Sequence, residues 1–373
     1  MWPVYESQSE WGLFNSDCAV DLDSEFKSES PQVVKLKAWR ISSLRRRSTS
    51  AQAAGDGSRP AQNAATPSNT DNLAPAPASP ATDGTPASSA PASASTAVAL
   101  TVGFKALAGV SVAFGAAALV APELLLQVAS SAGAAAAATP LEVVFARIAG
   151  GTMAISAAAE WSLADAAANG RLGSATYQRL LVAVLAKNVT YLLAFALASD
   201  VWSVPLILLY PTAPLGSLVI AGLGLKQSGA TAGALADGLL APPKTAAGWT
   251  YLVFSLLYAA TFAACWAPEQ LFTAPVTPLA LLLKHTWAPG FLLAGGASLV
   301  LRDAADRGRL GASTFKRLNL GLAVTEAIYS AAYGTAILTG FAAGGAPAAS
   351  NLAGSVGIAG FTLYQYLTAE KKK

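Results

Sequence analysis

Long apolar runs separated by short polar breaks fill the chain from about residue 99 to residue 368. A helix that crosses a bilayer needs about 20 consecutive, mostly apolar residues. Eight stretches read as such spans: 99–120, 142–163, 178–199 and 202–225, then 249–266, 279–300, 318–340 and 351–368. The fifth is short, and Gly354, Gly357 and Gly360 weaken the eighth. Pro205, Pro211 and Pro214 predict kinks in the fourth. A membrane helix tolerates these where neighbours or water take up the freed carbonyls. The pattern predicts an all-α, polytopic membrane protein.

The polar breaks repeat. Leu172, Gly173, Thr176, Arg179 and Leu180 recur as Leu310, Gly311, Thr314, Arg317 and Leu318. The shift of 138 residues also pairs Asp165 with Asp303, Gly170 with Gly308, and Gly216-Ser217 with Gly354-Ser355. Ala121-Pro122-Glu123 recurs as Ala267-Pro268-Glu269 at a shift of 146, so the first block holds eight extra residues between its first two spans, where 133–139 is nearly all alanine. The predicted organisation is a tail at 1–97, a four-helix repeat at 98–228, a loop at 229–248, a second four-helix repeat at 249–368 and a basic tail at 369–373. Four spans per block is an even number, so both blocks enter from the same side. That is a parallel tandem repeat about an axis near the membrane normal, not an inverted one.

Charge predicts the orientation. The loops after spans two, four and six, with the C-terminus, hold twelve basic residues, and the loops after the odd spans hold none. By the positive-inside rule both termini face the cytosol, stroma or matrix. Composition agrees with a membrane: 53% of residues are hydrophobic and only 12% charged, against about 25% charged in a soluble domain. A dispersed net charge of +3 argues against nucleic acid as a partner. One histidine and two cysteines, Cys18 in the tail and Cys265 in a span, are too few for a zinc site and argue against a native disulfide. No phosphate-binding loop, dinucleotide fingerprint, hydrolase elbow or zinc helix is present, so neither a cofactor nor an enzyme is expected.

The tail reads as disordered. Between 48 and 97 it is mostly Ala, Ser, Pro, Thr and Gly, with too little apolar surface to offset chain entropy. Lys35, Lys37, Arg40, Arg45, Arg46 and Arg47 among serines have the composition of an organelle transit peptide, whereas the acids between Glu6 and Glu29 oppose one. The alternatives are a chloroplast envelope or thylakoid address, another organelle, or a cytosolic tail on a plasma-membrane protein. No apolar core of a secretory signal lies in residues 1–30.

Ionisable residues inside spans are the functional leads, because they are costly there. Lys187 and Glu326 each fall about 12–14 Å below the basic side, near the midplane. In the 138-residue register Lys187 matches Thr325 and Asn188 matches Glu326. If the third and seventh spans face each other, Lys187 and Glu326 pair, either as a clamp between blocks or as a charged site on a permeation path. Arg147 matches His285, about 9 Å into its span. Both suit interface anchors, as do Lys105, Glu160 and Lys284. The Gly-Arg-Leu-Gly turns place Arg171 and Arg309, with Arg179 and Arg317 just beyond, where they can meet lipid phosphate or another anion. Rows of small residues, Ala146, Gly150, Ala154 and Ala158, then Gly290, Ala294 and Ser298, predict close helix packing. The expected function is a structural or accessory membrane protein, associated with lipid, a larger complex or a second copy. The alternative is a small-solute or ion transporter using the interface between repeats.

Overall fold

Threonine followed by proline opens two of the longest helices. In the computed structural model, α3 (Pro140–Ala168) starts from Thr139, whose side chain accepts from the Glu142 amide while Glu142 accepts from the Thr139 amide. The reciprocal bonds satisfy two of the donors a helix start leaves open, and proline at the first helical position loses no needed N–H. α8 (Pro278–Asp306) starts from Thr277 and Pro278, with the Thr277 hydroxyl accepting from the Ala280 amide and no reciprocal bond. Both helices end on a glycine in the left-handed region, Gly170 at φ 63° and Gly308 at φ 62°. There the amides of Arg171 and Arg309 donate back to Ala166 and Ala304, both at 2.8 Å, closing the last turn as a glycine cap does.

The structure describes residues 94–129, 138–197, 210–236, 241–266, 277–340 and 346–370, all within the unit Gly84–Lys373. The predicted tail, most of the alanine-rich insertion and Ala267-Pro268-Glu269 lie outside them. The remaining helices are α1 (Ala94–Val120), α2 (Pro122–Ala129), α4 (Ala175–Leu197), α5 (Thr212–Gln227), α6 (Ala232–Ala236), α7 (Ala246–Cys265), α9 (Ser313–Leu338) and α10 (Ala346–Thr368). No strand occurs among the described residues, so the all-α expectation holds.

Among the described residues, four helices are long and apolar enough to cross a membrane: α1, α3, α4 and α7. The other four expected spans fall short of that measure for visible reasons. α5 has only 16 residues, about 24 Å of helix. Within its expected span α8 carries Lys284, His285, Pro289 and three glycines, and α9 carries Asn319, Glu326, Ser330 and several threonines and tyrosines. α10 holds three glycines and several polar residues.

α3 and α8 form the centre. α1 lies on α3, and α7 lies on α8; α9 crosses to α3, and α4 crosses to α8; α5 and α10 flank α4 and α9. Small residues set these approaches. A methyl group at Gly290 of α8 would stand 2.3 Å from Thr152 Cβ of α3, one at Gly296 2.5 Å from Ala183 Cβ of α4, and one at Gly321 of α9 2.7 Å from Ala158 Cβ of α3. Backbones this close suit helices joined by van der Waals packing rather than by bulky knobs. The outer faces are aliphatic: Val102, Val110 and Val112 on α1, and Val253, Leu256 and Leu257 on α7, are exposed. A helix apolar on every side needs an apolar environment outside as well as inside.

Candidate functional site

Crossed arginine–aspartate pairs hold one end of the bundle together. At the C-terminal ends of α3 and α8, Arg179 of α4 reaches Asp303 of α8 at 3.5 Å, and Arg317 of α9 reaches Asp165 of α3 at 3.4 Å. Each carboxylate takes a second arginine from its own turn, Arg171 on Asp165 at 3.1 Å and Arg307 on Asp303 at 3.0 Å. Arg179 also donates to the Leu235 carbonyl. Arg171 lies over the Tyr177 ring at 5.9 Å, and the exposed Arg309 lies over the Phe315 ring at 5.7 Å. Three of the four arginines expected at lipid phosphate thus engage protein carboxylates. The Arg179–Asp303 side chains are only 7% and 15% exposed, so removing one partner there costs far more than at the open Arg171 pair.

Lys187 and Glu326 have different partners. Lys187 Nζ stands 3.4 Å from Glu160 and donates to Ser156 Oγ at 3.3 Å, while Ser111 Oγ of α1 donates to Glu160 at 2.8 Å. Glu160 is 2% exposed and is not an interface anchor. α3 runs on to Ala168, eight residues or about 12 Å beyond Glu160. That places the carboxylate in the interior, opposite Lys187. A buried charge needs such a partner and further hydrogen bonds, and the two serines supply them. Asn188, one residue on, donates to Ser217 Oγ and to the Val184 carbonyl, both at 2.8 Å.

Glu326 instead accepts a hydrogen bond from Ser355 of α10 and lies beside the Tyr258 hydroxyl of α7. No basic side chain pairs with it among the described residues. It borders a cavity of about 130 Å³ bounded by Tyr258, Phe291, Tyr329, Asn351 and Ser355. A larger cavity of about 360 Å³ adjoins it, sharing Thr261, Phe291, Tyr329 and Asn351, and runs on past Cys265, Lys284, Trp287 and Tyr333. A third, of about 320 Å³, lies between α4 and α8 beside Arg179, Gly295 and Gly296. Neither Lys187 nor Glu160 borders any of the three.

His285 is half-buried and stacks on Trp266, ring centres 4.7 Å apart. Arg147 is also half-buried. The aromatic lining was not singled out from sequence, although Glu326, Tyr329 and Tyr333 stand at the spacing of one helical face. Cys265 accepts from the Trp287 indole at 2.9 Å. No group of three or more His, Cys, Asp or Glu that could hold a metal ion occurs among the described residues. No known family model matches the chain, and no characterised protein matches it in sequence.

Proposed function

We propose that the chain is an eight-span membrane protein of two tandem four-helix repeats, with both termini on the basic side of the bilayer, and that it acts as a structural or accessory element of a membrane. The reciprocal Arg–Asp pairs carry this reading. Under the 138-residue register, Arg179 to Asp303 and Arg317 to Asp165 are one contact made twice in opposite directions. A pseudo-twofold axis between α3 and α8 generates that arrangement. The paired Asn188–Ser217 and Glu326–Ser355 contacts and the paired caps at Gly170 and Gly308 support the same axis. Charges engaged in holding helices together, and outer faces of valine and leucine, suit a rigid partner of lipid, another membrane protein or a second copy.

Two measurements test it. With Cys18 and Cys265 replaced by alanine, cysteines placed at Ser174 and Thr339 should react with an impermeant reagent from opposite sides. Reaction from one side overturns the eight-span topology. In mild detergent the full chain should elute in an assembly larger than one chain, and Leu256→Lys on the exposed face of α7 should release it. Elution as a single chain, together with solute flux in vesicles, overturns the accessory role. That second reading, transport, draws on the cavities that reach Glu326. The close contacts at Gly290, Gly296 and Gly321 oppose a route between the repeats.

A further inference from the structure

The face of α9 that carries Glu326, Tyr329, Tyr333 and Ala336 borders the two adjoining cavities in sequence, the smaller at Glu326 and the larger at Tyr333 and Ala336. These positions follow one another at three- and four-residue steps, so they form a single stripe. α7 contributes Tyr258, Thr261 and Cys265 at similar spacing, and α8 contributes Lys284, Trp287 and Phe291. Glu326 is twelve residues from Leu338 at the end of α9, about 18 Å. The hollow therefore leads from the end of the bundle opposite the Arg–Asp pairs to a carboxylate at mid-depth.

The chemistry of the smaller chamber is specific. A carboxylate stands among three aromatic rings, with Phe291 at 6.2 Å from Tyr258 and 5.8 Å from Tyr329 between centres. Its neighbours Ser355 and Tyr258 are neutral hydroxyls. A carboxylate in an apolar interior is neutralised, either by a proton or by a bound cation. Aromatic rings around a carboxylate are the usual surroundings of an organic ammonium group. Lys284 lies in the wall of the larger, outer chamber and does not border the chamber of Glu326. The outer chamber, bordered by Phe145, Trp287 and Tyr333, is apolar and within the size range of small-molecule sites, roughly 300–1,000 Å³.

The 138-residue register shows where the two halves differ around Glu326. Glu326, Phe291 and Tyr329 stand where the first half has Asn188, Met153 and Tyr191. Tyr210 fills the first half, stacked on Tyr191 at 5.6 Å and Phe195 at 5.3 Å. A shift of 138 puts Ala348 in its place. The second half thus lacks the ring that closes the first.

We propose that the paired cavities of α7, α8, α9 and α10 bind a small amphipathic amine, its ammonium group at Glu326 among Tyr258, Phe291 and Tyr329, and its apolar part in the outer chamber. The test uses the full chain purified in detergent. Probes are 2-phenylethylammonium, its neutral isostere 2-phenylethanol, and tetramethylammonium, read by thermal shift and by equilibrium dialysis. The expected result is saturable binding of 2-phenylethylammonium at least ten-fold tighter than of the alcohol, lost in Glu326→Gln, weakened roughly five- to ten-fold in Tyr329→Leu, and unchanged in Arg147→Gln. The tyrosine variant keeps the carboxylate, so it decides the matter if Glu326→Gln fails to fold. Equal binding of amine and alcohol reduces the site to an apolar hollow and overturns the proposal. So does wild-type protein that binds no amine, with Glu326 carrying only a proton, and so does undiminished binding by Glu326→Gln or Tyr329→Leu.

Discussion

At one depth of the bundle, Asn188 in the first half and Glu326 in the second each bond a serine one helix away, Ser217 and Ser355. Around that shared contact the two halves differ. The first half keeps its charge one residue earlier, on Lys187, and neutralises it within a buried cluster of Glu160, Ser156 and Ser111. It then closes the space with Tyr210. The second half has Thr325 at the lysine position, where the hydroxyl donates to the Gly151 carbonyl of α3, and leaves the carboxylate facing a cavity. The frame of caps, crossed arginines and small-residue contacts is common to both. What separates them is whether a buried charge has a fixed partner within the protein.

The largest expected effect breaks that fixed partnership. Lys187→Met leaves Glu160 buried without a cation, a loss of about 3–5 kcal/mol. Glu326→Gln removes a carboxylate that has no basic partner, so its cost is expected to be about 1 kcal/mol or less, the scale of a single neutral hydrogen bond. Unfolding in detergent measures both. Adding Glu160→Gln to Lys187→Met should recover most of the first loss, since a double-mutant cycle isolates the pair. A Glu326→Gln loss as large as that of Lys187→Met would show that the two halves hold their charges alike.

The frame was legible in the sequence and the interiors were not. Gly170 and Gly308 and the small-residue rows follow from repetition and spacing alone and have the structural roles their chemistry suggests, whereas Arg179 and Arg317, expected at lipid phosphate, hold Asp303 and Asp165 instead. Glu160 was misplaced because a predicted span ended at residue 163, whereas the helix continues to Ala168. Five residues move a side chain by about 7.5 Å along the axis, enough to turn an interface anchor into a buried partner. The crossing of α9 onto α3 and of α4 onto α8 is not encoded in any local pattern, so the partner of Lys187 was assigned to the wrong helix. The cavity was hidden because a hollow is defined by a missing ring, and Ala348 becomes informative only beside Tyr210.

A second, smaller effect separates the two crossed pairs. Asp303 is 15% exposed and Asp165 29%. Asp303→Asn should therefore destabilise by about 1.5–3 kcal/mol, the range for hydrogen bonds to charged groups, and Asp165→Asn by roughly half as much. Charge exchange in one variant, Arg179→Asp with Asp303→Arg, should restore part of the loss. Equal losses at Asp303 and Asp165 would show that solvent reaches both ends of the axis alike.

Filling the hollow tests the comparison from the other side. Ala348 is buried, and Ala348→Tyr supplies the ring that Tyr210 gives the first half. If the register holds, the added ring stacks on Tyr329 and Tyr333, and stability changes by about 1 kcal/mol in either direction as packing gain and strain compete. Amine binding should disappear while Glu326, Tyr258 and Ser355 stay in place. Binding that survives Ala348→Tyr would show that residue 348 does not point where residue 210 does.

The smallest effect belongs to the exposed members of the frame. Arg171 and Arg307 are 48% and 53% exposed, and each bonds an aspartate on the preceding helix turn. Exposed ion pairs contribute about 0–1 kcal/mol, because water screens the attraction and ordering a long side chain opposes it. Arg171→Ala and Arg307→Ala should each stay within that range, and both losses should shrink as salt is raised from about 0.05 to 0.5 M, since the screening length falls from more than ~10 Å to a few ångströms. The two halves are expected to respond alike here, unlike at Lys187 and Glu326, because the aspartate each arginine bonds is already held by a second arginine from the opposite half. A loss above about 2 kcal/mol at either position would mean that the turn arginine, not the crossed one, fixes the carboxylate.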